Sequence, residues 1–359
     1  MRVHQLSARL DFGDAITNQV FEIDKRLKKW GFESDAYAEG LDDYAASLGR
    51  TDDKYKQFLS NSEDLLIYHY SIYCDNYKLF KKSRNKKILI YHNITPAHFF
   101  SGHNENLERV CKLGRRILPQ FKDCDLALGV SEFNRLELVE CGFPQEKTGV
   151  LPNFLTFDEF RNIPLNGKLL RQYEDAWFNF LSVGRLVPNK RPEDTIKTFF
   201  YYNRCVNVKS RLFMVGAPWL AEYNEQLSAL VRKLGLVSKV VFTGKVTTSD
   251  LVTYYNLADV FLSSSEHEGF CVPLLEAMYF GVPIVASKHA AVPDTLGEAG
   301  ILFTEKNHAA VAETIDLLRN DEKLRSRIVE KQSRRLGDFS EPEVEKKLKE
   351  HLKRVLGKV

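Results

Sequence analysis

Short apolar or β-branched runs alternate along this chain with longer stretches of helical periodicity, and they do so in two successive series. That alternation restricts the chain to βαβ units with parallel sheets. The first series is Arg2–Leu10, Ser34–Tyr37, Asp64–Tyr70, Lys87–His92, Asp125–Val130 and Gly149–Leu151. Between its members lie helical stretches such as Ala15–Trp30, where Ile16, Val20, Ile23 and Leu27 share one face and Gly31 ends the pattern. The second series is Phe178–Gly184, Ser210–Gly216, Lys239–Gly244, Asp259–Ser263, Pro283–Ser287 and Gly300–Phe303. The length of 359 residues suits two domains. The expected division is 1–155, a linker over 156–175 that lacks periodicity, and a second domain over 176–340. A charged helix over Glu341–Leu356 with no strand after it is expected to pack back on the first domain. Two such doubly wound units bind ligands outside the C-terminal ends of their strands, here expected in a central cleft.

Composition narrows the function. Lys plus Arg number 51 against 48 for Asp plus Glu, a net +3, which is too balanced for a nucleic-acid binder. The six cysteines form no CxxC pair and read as reduced thiols of a cytoplasmic protein, against structural zinc. The N-terminal segment lacks the apolar core of a signal peptide, and no apolar run approaches the ~18 residues of a spanning helix.

The stretch Ser264–Ala277, SSEHEGFCVPLLEA, carries the most chemistry. Gly269 favours a loop and Pro273 a first helical turn, so Glu268 belongs to a loop at a strand's C-terminal end and Glu276 to the following helix. The N–H groups from Phe270 to Leu275 would then be free to bind phosphate or sugar oxygens. The plainer alternative is a strand–loop–helix connection with surface glutamates. In FLSVGRLVPNKRPED, a buried strand ends at Gly184, followed by Arg185 and Lys190 around a Pro188–Asn189 turn. Two cations on one such loop suit a diphosphate leaving group, Arg as a fork and Lys as a point charge. A solvated basic turn is the alternative, and the presence of both loops in one domain weighs against it.

GRLVPNKRPED followed by EHEGFCVPLLEAMYFGVPIVAS resembles glycosyltransferase family 4. The resemblance implies a retaining enzyme with two Rossmann-like domains, the GT-B architecture. It implies that Arg185 and Lys190 meet the donor's diphosphate, that Glu268 faces the transferred sugar and that Glu276 holds the ribose hydroxyls. It further implies that the Gly269, Phe270, Cys271 and Val272 turn, with Leu275, faces the sugar and phosphates, and that Gly216 and Val246 line the base pocket. Cys271 stands where the commoner pattern has Gly, which puts the shape of the sugar pocket in question.

The first half resembles the family more faintly. Gly13 in LDFGDAITN is similar to the family's glycine loop, with Asp14 as a helix cap or a contact to a sugar hydroxyl. His92 matches a histidine placed over the reacting sugar, and Ser131 and Asn134 are expected to border the acceptor. His69, His103 and His267 receive no role from the sequence. The basic residues Lys78, Lys81, Lys82, Arg84, Lys86 and Lys87 form either a patch for an anionic membrane surface or a solvated helix end.

The implied reaction is transfer of a hexosyl unit, mannosyl, glucosyl or similar, from a GDP- or UDP-sugar to a glycan or lipid-linked acceptor in cell-surface polysaccharide assembly. Charge on the leaving diphosphate would be stabilised by Arg185, Lys190 and a helix N-terminus, without a metal or other cofactor. Asp123–Cys124–Asp125 has the lettering of a DxD metal site, but it immediately precedes an apolar strand. A sugar-nucleotide epimerase of the same fold would need further acid–base groups, and a glycoside hydrolase would need no diphosphate cations. A non-catalytic nucleotide-sugar-binding protein is the other alternative; product formation separates it from the enzymes.

Overall fold

The computed structural model describes residues 1–357, apart from the side chains at positions 158 and 159. The chain forms two compact units, Met1–Leu155 together with the chain from Phe339 onward, and Thr156–Asp338.

The first unit holds seven parallel strands, β1 (Val3–Leu10), β2 (Ala36–Leu41), β3 (Arg50–Thr51), β4 (Leu65–Tyr70), β5 (Lys86–Tyr91), β6 (Leu126–Gly129) and β7 (Thr148–Val150). Their order is β3-β2-β1-β4-β5-β6-β7, with the direction of winding reversing between β1 and β4. Every residue of β4 is buried, as expected of a central strand covered on both faces. Two features depart from the expected strands. β2 begins at Ala36, where it registers with Gln5, and runs through the polar letters Glu39–Gly40. β3 has only two residues, too few to show alternation.

The helix Glu341–Leu356 belongs to this first unit. Val344, Leu348 and Leu352 recur at its helical spacing and are fully buried. Arg26 pairs with Glu341 at 2.6 Å, and its guanidinium lies 3.8 Å from the centroid of the Phe154 ring.

The second unit holds six parallel strands, β8 (Phe178–Val183), β9 (Ser210–Val215), β10 (Val240–Gly244), β11 (Val260–Ser263), β12 (Ile284–Ser287) and β13 (Ile301–Phe303), in the order β10-β9-β8-β11-β12-β13. This is the doubly wound order with its switch point between β8 and β11, where ligands of such sheets bind. Phe180, Ile196, Phe199, Tyr202, Leu212, Leu262 and Ile315 are core residues of this unit.

The expected linker is not an irregular connection. It carries the helices Asp158–Arg161 and Gly167–Tyr173 and groups with the second unit. Asn166 caps the latter helix and also donates to the Asp250 carboxylate at 2.6 Å. With four and seven residues, these helices are too short to display a periodic pattern.

At the ends of β8 and β9 the backbones of Gly184 and Gly216 come close together. A Cβ on Gly216 would lie 2.0 Å from the Gly184 carbonyl oxygen. Gly216→Ala is therefore expected to destabilise the second unit by about 3 kcal/mol, the upper range for overpacking. Chemical denaturation checks this, and a loss within the ~0.5 kcal/mol of ordinary surface changes would contradict the close approach.

Candidate active site

The second unit brings its two motif loops together at the switch point. The loop after β8 carries Lys190 and the loop after β11 carries Glu268, and their side chains pair, Nζ to Oε1, at 2.8 Å. Asn189 joins the loops. Its carbonyl accepts from the Glu266 and His267 amides at 2.9 and 3.3 Å, and its side-chain amide donates to the His267 carbonyl at 3.0 Å. Ser265 Oγ donates to the same Glu268 oxygen at 2.9 Å. Gly184 leaves room for this arrangement, since a Cβ there would lie 2.9 Å from Lys190 Nζ. Burial opposes the charge on Lys190, but the adjacent Glu268 carboxylate outweighs it and holds the ammonium's pKa above its ordinary value.

Arg185 lies exposed on the loop after β8, with no carboxylate paired to it among the described residues. It is thus a cation open to a ligand. Glu276 is half-buried in the helix Val272–Tyr279, and the buried Tyr255 hydroxyl donates to its Oε2 at 2.7 Å. Burial raises the Glu276 pKa, while Tyr255 and Lys190 act to lower it.

The expected row of free amides contracts. The Leu274 amide is taken by the Cys271 carbonyl at 3.0 Å and Pro273 has no N–H, so that of this row only the Cys271, Val272 and Leu275 amides show no backbone partner among the described residues. Phe270 is buried, and its carbonyl accepts from Thr295 Oγ1. Gly269 precedes it in the loop between Glu268 and the helix. Cys271 is the left-handed residue before the helix, at φ 67°, a conformation that favours Gly and accounts for the residue of the commoner pattern. Burial and the neighbouring Glu268 hold its thiol pKa well above the ordinary range, which disfavours the thiolate. Gly216 bridges to Gly244, and the half-buried Val246 follows two residues later.

In the first unit, Gly13 adopts φ 81° after β1, and Asp14 caps the next helix by accepting from the Ile16 and Thr17 amides at 3.0 and 3.3 Å. Of its two expected roles the cap is therefore occupied. His92 follows β5 and its Nε2 lies 2.9 Å from His69 Nδ1. The next residue, Asn93, has φ 77° and is held by side-chain bonds to Asn134 at 2.7 Å and Glu137 at 2.8 Å. Arg115 completes this clamp, bonding the Ile94 carbonyl at 2.9 Å and Glu137 at 3.1 Å.

Ser131 and Asn134 lie at the helix start beside this clamp. Ser131 caps the helix Glu132–Glu140 through the Asn134 amide at 3.3 Å, and Asn134 is fully buried beneath the His92 loop. The basic run is partly tied down as well. Lys78 pairs with Asp75 at 2.6 Å, Lys81 bonds Gln120 at 2.8 Å, and Lys86 and Lys87 donate to the Val355 and Lys81 carbonyls at 3.3 and 3.2 Å. Lys82 and Arg84 are exposed.

Sequence reasoning missed Asn189, Ser265, Tyr255 and His69. Ser265 and Asn189 stood inside the quoted motifs without a chemical signal. Tyr255 and His69 lie far from their partners in sequence.

Burial favours the neutral form of four histidines of the first unit. The pKa of His4, His69 and His351 is lowered from 6.5, and that of His92 falls to about 3. Below pH 6.5 the unfolded chain takes up protons that the folded unit does not, so stability is lost as pH falls from 6.5 toward the depressed folded values. Between pH 7.5 and 5.5, the strongly depressed His69 and His92 rings are each expected to cost about 1 kcal/mol. Urea titrations at the two pH values read this, and equal stability would contradict neutral burial.

Two doubly wound parallel sheets, with a basic loop and a glutamate loop meeting at one switch point, define the GT-B class of glycosyltransferase fold. Residues 174–335, most of the second unit, match the family described as Glycosyl transferases group 1. The O-antigen chain mannosyltransferase B of Escherichia coli is 25% identical over 208 residues, 57% of this chain and 54% of that relative. A GDP-mannose-dependent alpha-(1-6)-phosphatidylinositol monomannoside mannosyltransferase of Mycobacterium tuberculosis is 26% identical over 215 residues, 56% of this chain and 55% of its own length. The chain thus spans about half the length of these curated relatives. Among solved structures, Anabaena Alr3699/HepE in complex with UDP and glucose superposes with a TM-score of 0.77 at 17% identity, covering 98% of this chain and 99% of that one. WaaG, a glycosyltransferase involved in lipopolysaccharide biosynthesis, gives 0.74 at 15% identity over 96% and 98%. At these identities the superpositions carry the fold alone. Among the described residues no helix is long and apolar enough to cross a membrane, and no group of three or more His, Cys, Asp or Glu side chains converges as a metal site.

Proposed function

We propose that this protein transfers a hexosyl unit, mannosyl first among the candidates, from a nucleoside diphosphate sugar to a glycan or lipid-linked acceptor with retention of configuration. The Lys190–Glu268 pair at the β8/β11 switch point carries this reading. A partly buried ammonium paired with one carboxylate oxygen can re-pair with an incoming diphosphate, and the same exchange leaves the carboxylate free to orient a sugar hydroxyl. Arg185 supplies the second cation and the Val272 and Leu275 amides supply neutral donors. Glu276, steadied by Tyr255, accepts from a diol such as the ribose. The mannosyltransferase names of the two relatives support a mannosyl donor and, for the mycobacterial enzyme, GDP as its nucleotide.

In the proposed step the bond from the anomeric carbon to the phosphate oxygen breaks and the acceptor oxygen bonds to the same face of that carbon. The departing phosphate oxygen takes the acceptor's proton. Glu268 orients and stabilises charge, and is not a nucleophile. Lys190 and Arg185 neutralise the leaving group without a metal ion.

Incubation with GDP-mannose, UDP-glucose and their GDP- and UDP-linked counterparts, with mannosyl and glucosyl lipid acceptors and EDTA present, tests the reading. A glycosylated acceptor with an axial-to-axial or equatorial-to-equatorial anomeric outcome is expected. Isomerised nucleotide sugar without transfer would make the protein an epimerase, and binding without any product would make it a sensor.

A further inference from the structure

Gln5, His69 and His92 form a hydrogen-bonded row across the central strands of the first unit, reaching from the core to the end of β5. Gln5 and His69 are fully buried, yet both are polar. Apolar side chains would fill these positions of β1 and β4 without desolvation cost, so the polar pair demands a reason.

The direction of every bond in the row is determined from its inner end. Gln5 Nε2 donates to the Val20 carbonyl at 2.9 Å, and a carbonyl can only accept. The Gln5 amide is thereby oriented, and its Oε1 faces His69 Nε2 at 2.9 Å. Oε1 can only accept, so His69 carries its proton on Nε2. In a neutral ring Nδ1 is then a bare acceptor, and the proton in the 2.9 Å contact with His92 comes from His92 Nε2. His92 Nδ1 is left as a lone pair, and no bond to it occurs among the described residues.

We infer that Gln5 and His69 are positioning residues that lock His92 in its Nε2-protonated form, so that its Nδ1 recognises ligands that donate a hydrogen bond, the hydroxyls of a sugar substrate. The ligand class rests on the glycosyl-transfer reading above, whereas the lock itself does not. Burial, together with His92 in the case of His69, lowers both ring pKa values, and these are the influences that act on the pair. Among the described residues no carboxylate offsets them, so the polarity stays fixed through neutral pH. The Asn93–Asn134–Glu137–Arg115 clamp holds the backbone that follows His92. An imidazole locked as an acceptor rejects anions and cannot act as a general acid. It discriminates instead for a donor hydroxyl.

Nitrogen-15 NMR of the histidine-labelled wild-type protein at pH 7 tests the lock directly. Both His69 and His92 are expected as neutral Nε2–H rings. An Nδ1–H ring or an imidazolium at either position overturns the inference, whatever reaction the protein performs. The kinetic arm uses GDP-mannose, or whichever donor the panel identifies. His69→Phe removes the acceptor and is expected to lower kcat/KM about 5-fold, the value of one neutral hydrogen bond. His69→Asn retains an acceptor atom where Nδ1 stands and is expected to stay within about 2-fold, because the bond that decides the value is kept. Equal losses in both variants, with thermal melts showing both folded, would mean a packing role and contradict positioning. A donor lacking the contacted hydroxyl should lose the difference between wild type and His69→Phe; if every deoxy-sugar donor keeps it, the hydroxyl assignment falls. Failure of all transfer in the wild type would instead overturn the proposed function and leave the NMR result to decide the lock.

Discussion

Glu268→Gln is expected to lower kcat about 100- to 1,000-fold, the range for removal of one preorganised charge-stabilising group, while the second unit remains folded. Gln keeps an oxygen within reach of Lys190 and Ser265, which both donate to Glu268 Oε1, so loop geometry persists while the charge is lost. Alanine is a poorer probe. The sequence suggests a loop residue that can be truncated freely, but Glu268 is the counter-ion of a partly buried ammonium, and its removal strands Lys190. Rates with the identified donor, read beside a thermal melt, check the expectation. Wild-type kcat in a folded Glu268→Gln would remove this carboxylate from the chemistry.

Lys190→Ala is expected to weaken nucleoside diphosphate binding by about 1.5–3 kcal/mol, the value of a charged hydrogen bond, or roughly 10- to 150-fold. The same change should spare a nucleoside without phosphates, because the ammonium faces the diphosphate and not the base. Calorimetry with GDP against guanosine separates these outcomes. Unchanged GDP affinity would mean that the ammonium serves only to neutralise Glu268.

Much of the frame was legible in the chain, and the reason is physical. Central strands of parallel sheets are buried on both faces and read as apolar runs, so those from Val3, Leu65, Val260 and Ile284 stand out. β3 and the two short helices after residue 156 escaped because they are held by tertiary contacts such as Asn166 to Asp250. The motif loops were placed at strand ends from Gly, Pro and charge alone. What the sequence did not disclose is what each residue touches. Asn134 carries the same polar letters whether it faces an acceptor or is sealed beneath Asn93. His69 receives no role from the sequence, and only the fold brings it to Gln5 and His92, residues 64 and 23 positions away.

The most direct test is calorimetric titration of the wild-type protein with GDP and UDP in EDTA, repeated with magnesium. Saturable one-site binding of one nucleotide is expected, with the same affinity in both buffers and a loss of at least about 10-fold in Lys190→Ala. Binding that appears only with magnesium, or no binding of either nucleotide, would contradict a metal-free diphosphate site at the β8/β11 switch point.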